Sequence, residues 1–291
     1  MALLPQQPLH RLCLLASGYS KLLQLMRVLL QVSVAASGPL TPRLWRVRQG
    51  TAPLRETLAA AAVFLSPILN RLSLQDSLTV LDPMCGSGAL LLELMGIAAG
   101  SLPNSPRRSF PFFSFPNHSM TRFNSFLDCL DILPHPKVGS LRLLGCDNNK
   151  EQLESAKLNV EAFRLRSPRL MKAEEGLDDE GGLPCPLSLT HSDFSPVLRA
   201  LPPQSVVLTN APYGVRSLRG DKRQRTMRRL EKEIASNPNI RSAYLIAPGR
   251  SFRAEALLPW RPLGRFSNSG IDVQLLEYNR DTLPSSTASP K

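Results

Sequence analysis

The chain has 291 residues, 43% of them hydrophobic, and its 35 Lys and Arg outweigh 23 Asp and Glu to give a formal charge of +12 and a pI near 10.0. This composition excludes a disordered or fibrous protein and leaves enough apolar mass for one large domain or two small ones. The basic excess suits a polyanionic partner, either nucleic acid or an anionic membrane surface.

Along the chain, no Asp or Glu precedes Glu56, whereas Arg11, Lys21, Arg27, Arg43, Arg46 and Arg48 do. An acid-free basic start has the composition of a mitochondrial transit segment, and residues 1–34 read equally well as a ragged N-terminal extension. The apolar stretch "LLQLMRVLLQVSVAAS" is interrupted by Arg27 and is too short to span a bilayer, so no membrane partner is expected. "PLRETLAAAAVFL" has helical spacing with Pro53 near its start. "LTVLD" (78–82) is a buried-strand run, and "GALLLELMGIAA" after it is a helix. "LRLLGCD" (141–147) is the next strand, followed by the helix "KEQLESAKLNVEAF". "SVVLTN" (205–210) is a third strand, "TMRRLEKEIA" a helix and "AYLIA" (243–247) a strand. "IDVQLLEYN" (271–279) alternates like a final, less buried strand. Strands alternating with helices predict an α/β fold with a mainly parallel sheet covered on both faces. Two stretches interrupt the pattern: residues 100–140 are rich in Pro, Ser and Phe, and residues 164–187 are polar. The tail "PSSTASPK" has the composition of a disordered segment.

Five cysteines without Cys-x-x-Cys spacing and four scattered histidines form neither a disulfide framework nor a ligand cluster. No metal is expected, and a reducing compartment is favoured. The chemistry concentrates at the strand ends. "LDPMCGSGALLLE" (81–93) is a strand, a glycine turn and a helix start. Gly86 and Gly88 let the backbone turn tightly and approach a ligand, and the helix N-terminus offers free N–H groups. The pattern is neither a dinucleotide fingerprint nor a phosphate loop. Asp82 at the strand tip is placed to hold a ligand's cation. Asp147 closes the second strand, where an acid accepts from ribose hydroxyls in nucleotide folds. Asp193, in "HSDF", is placed to accept an adenine amino proton, with Phe194 against the ring.

Taken together, "DPMCGSGALLLE", "GCDNN", "SDF" and "NAPYGVR" resemble the S-adenosylmethionine-dependent methyltransferases that modify exocyclic amino groups. More narrowly they resemble the bacterial large-subunit ribosomal RNA guanine-N2 methyltransferases and their THUMP-associated relatives. "RVRQGTAPLRETLAAAAVFLS" (46–66) is similar to the family's lead-in, "RSFPFFSFP" (108–116) to its aromatic loop and "NSGIDVQLLEY" (268–278) to its closing strand. The resemblance implies a doubly wound, mostly parallel, seven-stranded Rossmann-like sheet with helices on both faces. It also implies a methyltransferase domain over residues 35–280, with insertions near 100–140 and 164–187 and a tail at 281–291.

The implied activity is methylation of the 2-amino group of guanosine in rRNA, tRNA or snRNA, in the cytoplasm or nucleus, or in the mitochondrion if the N-terminus is a transit segment. S-adenosyl-L-methionine would be held by Asp82, Pro83, Met84, Cys85, Gly86, Gly88, Asp147, Asn148, Asp193, Phe194 and Asn210. In the resembling enzymes the Asn of an Asn-Pro-Pro-Tyr signature and the following backbone carbonyl accept hydrogen bonds from the target amine. Here that implies Asn210 and Ala211 as acceptors, Pro212 as the residue fixing the turn and Tyr213 stacking on the flipped base. Ala211 departs from the family's Pro, but its acceptor is main-chain. Phe110, Phe112, Phe113 and Phe115 either line the pocket rim or pack a small core of their own. "RSLRGDKRQRTMRR" (216–229) holds seven basic residues and one acid, and Arg216, Arg219, Lys222, Arg223 and Arg225 are expected to contact RNA phosphates. "SGPLTPRLWR" (37–46) is similar to the exit of a THUMP domain, with Trp45 at a Tyr position, while too few residues precede it for a complete one. A partner protein supplying RNA grip is therefore one expectation. Two alternatives stand beside the guanine reading: an adenine-N6 nucleic-acid methyltransferase, and a catalytically weak cofactor- and RNA-binding subunit.

Overall fold

The computed structural model describes residues 43–50, 53–101, 111–129, 133–166, 182–210, 212, 220–248, 252–253, 255–268 and 270–282. The chain divides into two compact units, residues 1–39 with 107–131 and residues 40–106 with 132–291. The expected N-terminal extension and residues 283–291 of the expected tail lie outside the described residues, whereas Arg280–Thr282 form a 3-10 turn in which Asp281 pairs with Arg241.

In chain order the described elements are α1 (Glu56–Leu65), α2 (Ile68–Leu74), β1 (Leu78–Asp82), α3 (Ala89–Ala98), α4 (Met120–Cys129), β2 (Leu141–Asp147), α5 (Lys150–Arg166), β3 (Leu187–His191), α6 (Phe194–Arg199), β4 (Ser205–Asn210), α7 (Gly220–Ser236), β5 (Ile240–Pro248), β6 (Arg261–Asn268) and β7 (Ile271–Asn279). Of the first unit, the described part is a 3-10 turn at Pro111–Ser114 and helix α4. There Phe113 packs on Phe123 at 5.1 Å between ring centroids and on His118 at 4.9 Å. Phe113 thus builds a local aromatic cluster, Phe115 remains exposed, and Phe110 and the Phe112 side chain lie outside the described residues.

The second unit is a seven-stranded sheet in the order β3-β2-β1-β4-β5-β7-β6. Strands β3, β2, β1, β4 and β5 run parallel, while β7 pairs antiparallel with both β5 and β6. The strand order reverses between β1 and β4, which leaves a crevice beyond their carboxyl ends. β1 is buried throughout, and Val206, Val207 and Leu208 of β4 are fully enclosed, as continuous apolar runs require when helices cover both faces. The sequence places β7 as a less buried strand; in the fold, where it lies between β5 and β6, six of its residues in a row are buried on both faces.

The lead-in segment is pinned to the core by two buried ion pairs. Arg43 Nε donates to Glu93 on α3 at 2.8 Å, and Arg46 Nη1 donates to Glu56 on α1 at 2.7 Å and to the Leu54 carbonyl at 2.7 Å. Burial pushes the Glu93 carboxyl up, and the Arg43 guanidinium opposes that shift. Among the described residues no single helix is long and apolar enough to cross a membrane.

Candidate active site

Parallel pairing of β1 with β2 and of β2 with β3 brings three acidic residues to one end of the sheet. Asp82 is the last residue of β1 and Asp147 the last of β2, while Asp193 follows β3 by two residues. The Asp147 charge acts on Asp82, and all three acids act on the buried Cys146 thiol. Burial is the largest cause raising Cys146, to about 12.

The glycine turn sits between the first two acids. Gly86 and Gly88 have φ of +53° and +83°, a left-handed region that favours glycine over any side chain with a Cβ. The Gly86 N–H donates to Asp147 Oδ2 at 2.9 Å, and the Asn149 N–H donates to Asp147 Oδ1 at 2.9 Å. Asp147 therefore ties the β2 tip to the turn, with further lone pairs left for a ligand hydroxyl. Gly88 opens α3 without a side-chain cap. Cys85 turns into the core, where burial raises its thiol well above the usual range, and its N–H donates to the Cys146 carbonyl at 3.0 Å. Only the backbone of Cys85 can then serve a ligand, not the thiol. Pro83 is buried and accepts from the Cys146 thiol at 3.5 Å, Met84 is half-buried and Asn148 is exposed.

Asp82 is 2% exposed. Its Oδ1 accepts from the Thr209 hydroxyl at 2.7 Å and from the Met84 N–H at 3.2 Å. Desolvation is the dominant influence and lifts its pKa to about 7, against the lowering effect of those two donors, while the Asp147 charge adds to the rise. The Thr209–Asp82 bond spans β1 and β4 at the point where the strand order reverses. Next to it, Asn210 ends β4 with its Oδ1 buried and, among the described residues, without a hydrogen-bond partner. A buried amide oxygen left unmet costs free energy, and at the strand-order reversal it is an acceptor open to a donor from a ligand. Pro212 is half-buried, while Ala211, Tyr213, Arg216 and Arg219 lie outside the described residues.

Asp193 caps α6, accepting from the Ser195 N–H at 2.9 Å, and pairs with Arg229 of α7. Partial burial works against its charge, but the Ser195 amide and the Arg229 guanidinium hold the carboxyl below the usual carboxylate range. Arg229 also lies over the Phe194 ring, 4.3 Å from its centroid. The two residues expected to meet adenine are thus engaged by an arginine. Lys222, Arg225, Thr226 and Arg229 line an open cavity of about 360 Å³ along α7; Lys222, Arg223 and Arg225 are exposed.

Three contributors escape sequence reasoning: Thr209, Arg229 and Asn159. Asn159 is fully buried in α5; its Nδ2 donates to the Arg48 carbonyl at 2.9 Å and the Ser87 carbonyl at 3.0 Å, and its Oδ1 accepts from the Arg48 N–H at 2.9 Å. An Asn inside a helix, where it competes with the backbone, was the available signal. Asn159→Ala leaves three backbone groups short of a partner, with an expected loss of about 2–3 kcal/mol. Urea denaturation checks this; a change below about 0.5 kcal/mol would show that water replaces the amide.

Residues 43–175 match the UPF0020 family model, described as RMKL-like, methyltransferase domain. Over that stretch, a little under half of its length, the chain is similar to this methyltransferase domain. The sheet extends past the matched stretch through β4, which bears Asn210, to β7. The ribosomal RNA large subunit methyltransferase K/L of Aeromonas hydrophila is 30% identical over 190 residues, covering 64% of this chain and 25% of that protein. Its namesake from Psychromonas ingrahamii is 29% identical over 187 residues, covering 62% and 21%. The chain thus spans about a quarter of the length of the curated relatives it matches. Among solved structures, a possible methylase from Clostridium difficile 630 superimposes with a TM-score of 0.60 at 21% identity, over 81% of this chain and 55% of that one. A methyltransferase complexed with SAH gives 0.61 at 21% identity, over 84% and 57%. At that identity these likenesses establish the fold alone, an α/β class that the strand–helix alternation of the sequence also predicts.

Proposed function

We propose that this chain is an S-adenosylmethionine-dependent methyltransferase acting on the 2-amino group of guanosine in RNA. The observation that carries the reading is Asn210 Oδ1, buried and unpartnered where β4 meets the strand-order reversal. The names of the K/L relatives support ribosomal RNA as the substrate class. When bound, the cofactor supplies an electrophilic methyl group on a sulfonium.

The remaining roles belong to the chain. Gly86 and Gly88 keep the approach to the turn free of side chains, and Asp82 offers an ionisable carboxylate for a cationic group. Asp147 has oxygens left for ribose hydroxyls, and Asn210 Oδ1 accepts from the target amine and aims its lone pair. As the amine gains positive charge, that acceptor gains strength. Isothermal titration with S-adenosylhomocysteine, followed by incubation with RNA and labelled cofactor and mass spectrometry of the nucleosides, tests the reading. N2-methylguanosine is the expected product. N6-methyladenosine would replace guanine by adenine as target, and cofactor binding without any methyl transfer would favour the binding-subunit alternative.

The exposed basic face of α7 is proposed to contact RNA backbone. Replacing Lys222, Arg223 and Arg225 together by Gln removes up to three phosphate contacts. The slope of log affinity against log salt on single-stranded RNA should then become shallower by up to about 2. An unchanged slope in filter binding would place this face away from the RNA.

A further inference from the structure

Arg229 belongs to two places at once. Its guanidinium pairs with Asp193 and covers the face of Phe194, and the same side chain lines the basic cavity with Lys222, Arg225 and Thr226. The ion pair is open to solvent, with Arg229 at 50% and Asp193 at 41% side-chain exposure, so it is a weak and exchangeable contact. A guanidinium stacked on an aromatic face occupies the surface that a planar base would use. The carboxylate oxygen it holds is likewise the acceptor that an amino group would use. Thr226 and Arg229 lie one and two turns beyond Lys222 on α7, and Arg225 precedes Thr226, so these side chains project along one face of the helix. Besides Lys222 and Arg225 in the cavity, the described charges near Arg229 include the acid Glu233, which is already bidentate with Arg199 at 2.5 and 2.9 Å.

We infer that Arg229 is a shared residue that couples the two sites: a backbone phosphate of RNA bound by Lys222 and Arg225 draws its guanidinium into the cavity, freeing Asp193 and Phe194 for the adenine of the cofactor. The inference rests on the methyltransferase reading above. It assigns to α7 a role beyond electrostatic attraction, because RNA and cofactor then favour each other's binding. It makes Arg229 a positioning residue, acting on the cofactor site only through what it vacates. Free Asp193 still caps α6 through Ser195, so the site keeps its shape when the arginine leaves.

The test is isothermal titration of the full chain with S-adenosylhomocysteine, alone and in the presence of a saturating uridine decamer. In the unaltered protein the decamer should tighten binding about five- to ten-fold, the strength of one exposed ion pair plus one exposed cation–π contact. Arg229→Met should bind more tightly than the unaltered protein without RNA, by a similar factor, and respond little to RNA. Lys222→Ala with Arg225→Ala should abolish the RNA effect. Inorganic phosphate producing the same tightening would support the exchange and assign it to free phosphate rather than to the RNA backbone. If the unaltered protein binds the cofactor but Arg229→Met binds it equally or less well, or if RNA leaves affinity unchanged or weaker, the coupling is overturned while the methyltransferase reading stands. Absence of cofactor binding in both proteins, each verified as folded by circular dichroism, overturns both.

Discussion

Asn210→Ala is expected to lower methyl transfer about 10²–10³-fold at saturating cofactor and RNA, equivalent to roughly 3–4 kcal/mol of transition-state stabilisation. The expectation follows from the state of the amide in the fold. Its Oδ1 is buried and has no partner among the described residues, so an incoming donor meets an acceptor that those residues do not occupy. An amine that donates to it gains the interaction without further reorganisation, which is the condition under which a fixed acceptor contributes most to rate. Removing the amide also removes an unmet buried group, so the variant should be at least as stable as the unaltered protein. That combination separates a catalytic role from a structural one. A packing residue at the end of β4 would lose stability and activity together; this one should lose activity alone. Ala211→Pro tests the same geometry from the neighbouring position and should keep or raise activity, since a ring fixes the chain around the following carbonyl. Single-turnover transfer of labelled methyl groups measures both variants, with thermal melts run in parallel. Undiminished transfer by Asn210→Ala would remove the amide from the chemistry.

Most of the sheet is legible in the sequence because most of it is buried on both faces. "LTVLD", "LRLLGCD", "SVVLTN" and "IDVQLLEYN" each begin and end where β1, β2, β4 and β7 do, since continuous apolar runs bounded by turn residues leave little freedom in register. Strand β3 is different. It lies at the sheet edge with three of its five residues exposed, and "LSLTH" has no apolar run to mark it. Strand β6, at the other edge, is hidden in the same way by "RPLGRFSN". The alternating residue types of the antiparallel β7 suggest one wet face, whereas six of its residues in a row, on both faces of the sheet, are buried.

The site divides along the same physical line. Residues fixed by local backbone demands, such as the left-handed Gly86 and Gly88, or placed at a strand tip, such as Asp82 and Asp147, can be read from spacing alone. Residues defined by contacts across long sequence separations cannot. Arg229 reaches Asp193 over 36 positions and Asn159 reaches Arg48 over 111, and nothing in one segment announces the other. The sequence also treats Cys85 as part of the ligand turn, while tertiary packing buries its thiol beside Gly145, where a Cβ would meet Cys85, Leu91 and Leu189 at once.

Asp82 should make both stability and cofactor affinity depend on pH near neutrality. Burial lifts its folded-state pKa from 3.8 to about 7. The folded protein therefore holds the Asp82 proton more tightly than the unfolded chain does, and between the two values it binds more protons. Its contribution to stability is fully present below the unfolded pKa and is lost as pH rises through the folded value. A shift of this size corresponds to at most about 4 kcal/mol, spread across roughly pH 4 to 7. Asp82→Asn retains a carbonyl oxygen for the Thr209 hydroxyl and does not titrate. The stability of the unaltered protein minus that of the variant should thus fall steadily between about pH 4 and 7 and level off above; other carboxylates cancel in the difference. Cofactor binding should run the opposite way. A cationic group placed against Asp82 favours its ionised form, so affinity for S-adenosylmethionine should rise with pH up to about 7 in the unaltered protein and change much less in Asp82→Asn. Urea titrations of both proteins at half-unit pH intervals read the first effect, and calorimetry in two buffers of different ionisation enthalpy reads the proton released on binding. A stability difference that stays constant from pH 4 to 7 would mean that Asp82 ionises at its ordinary value despite its burial, and the proposed charge partnership with the cofactor would then lose its pH signature.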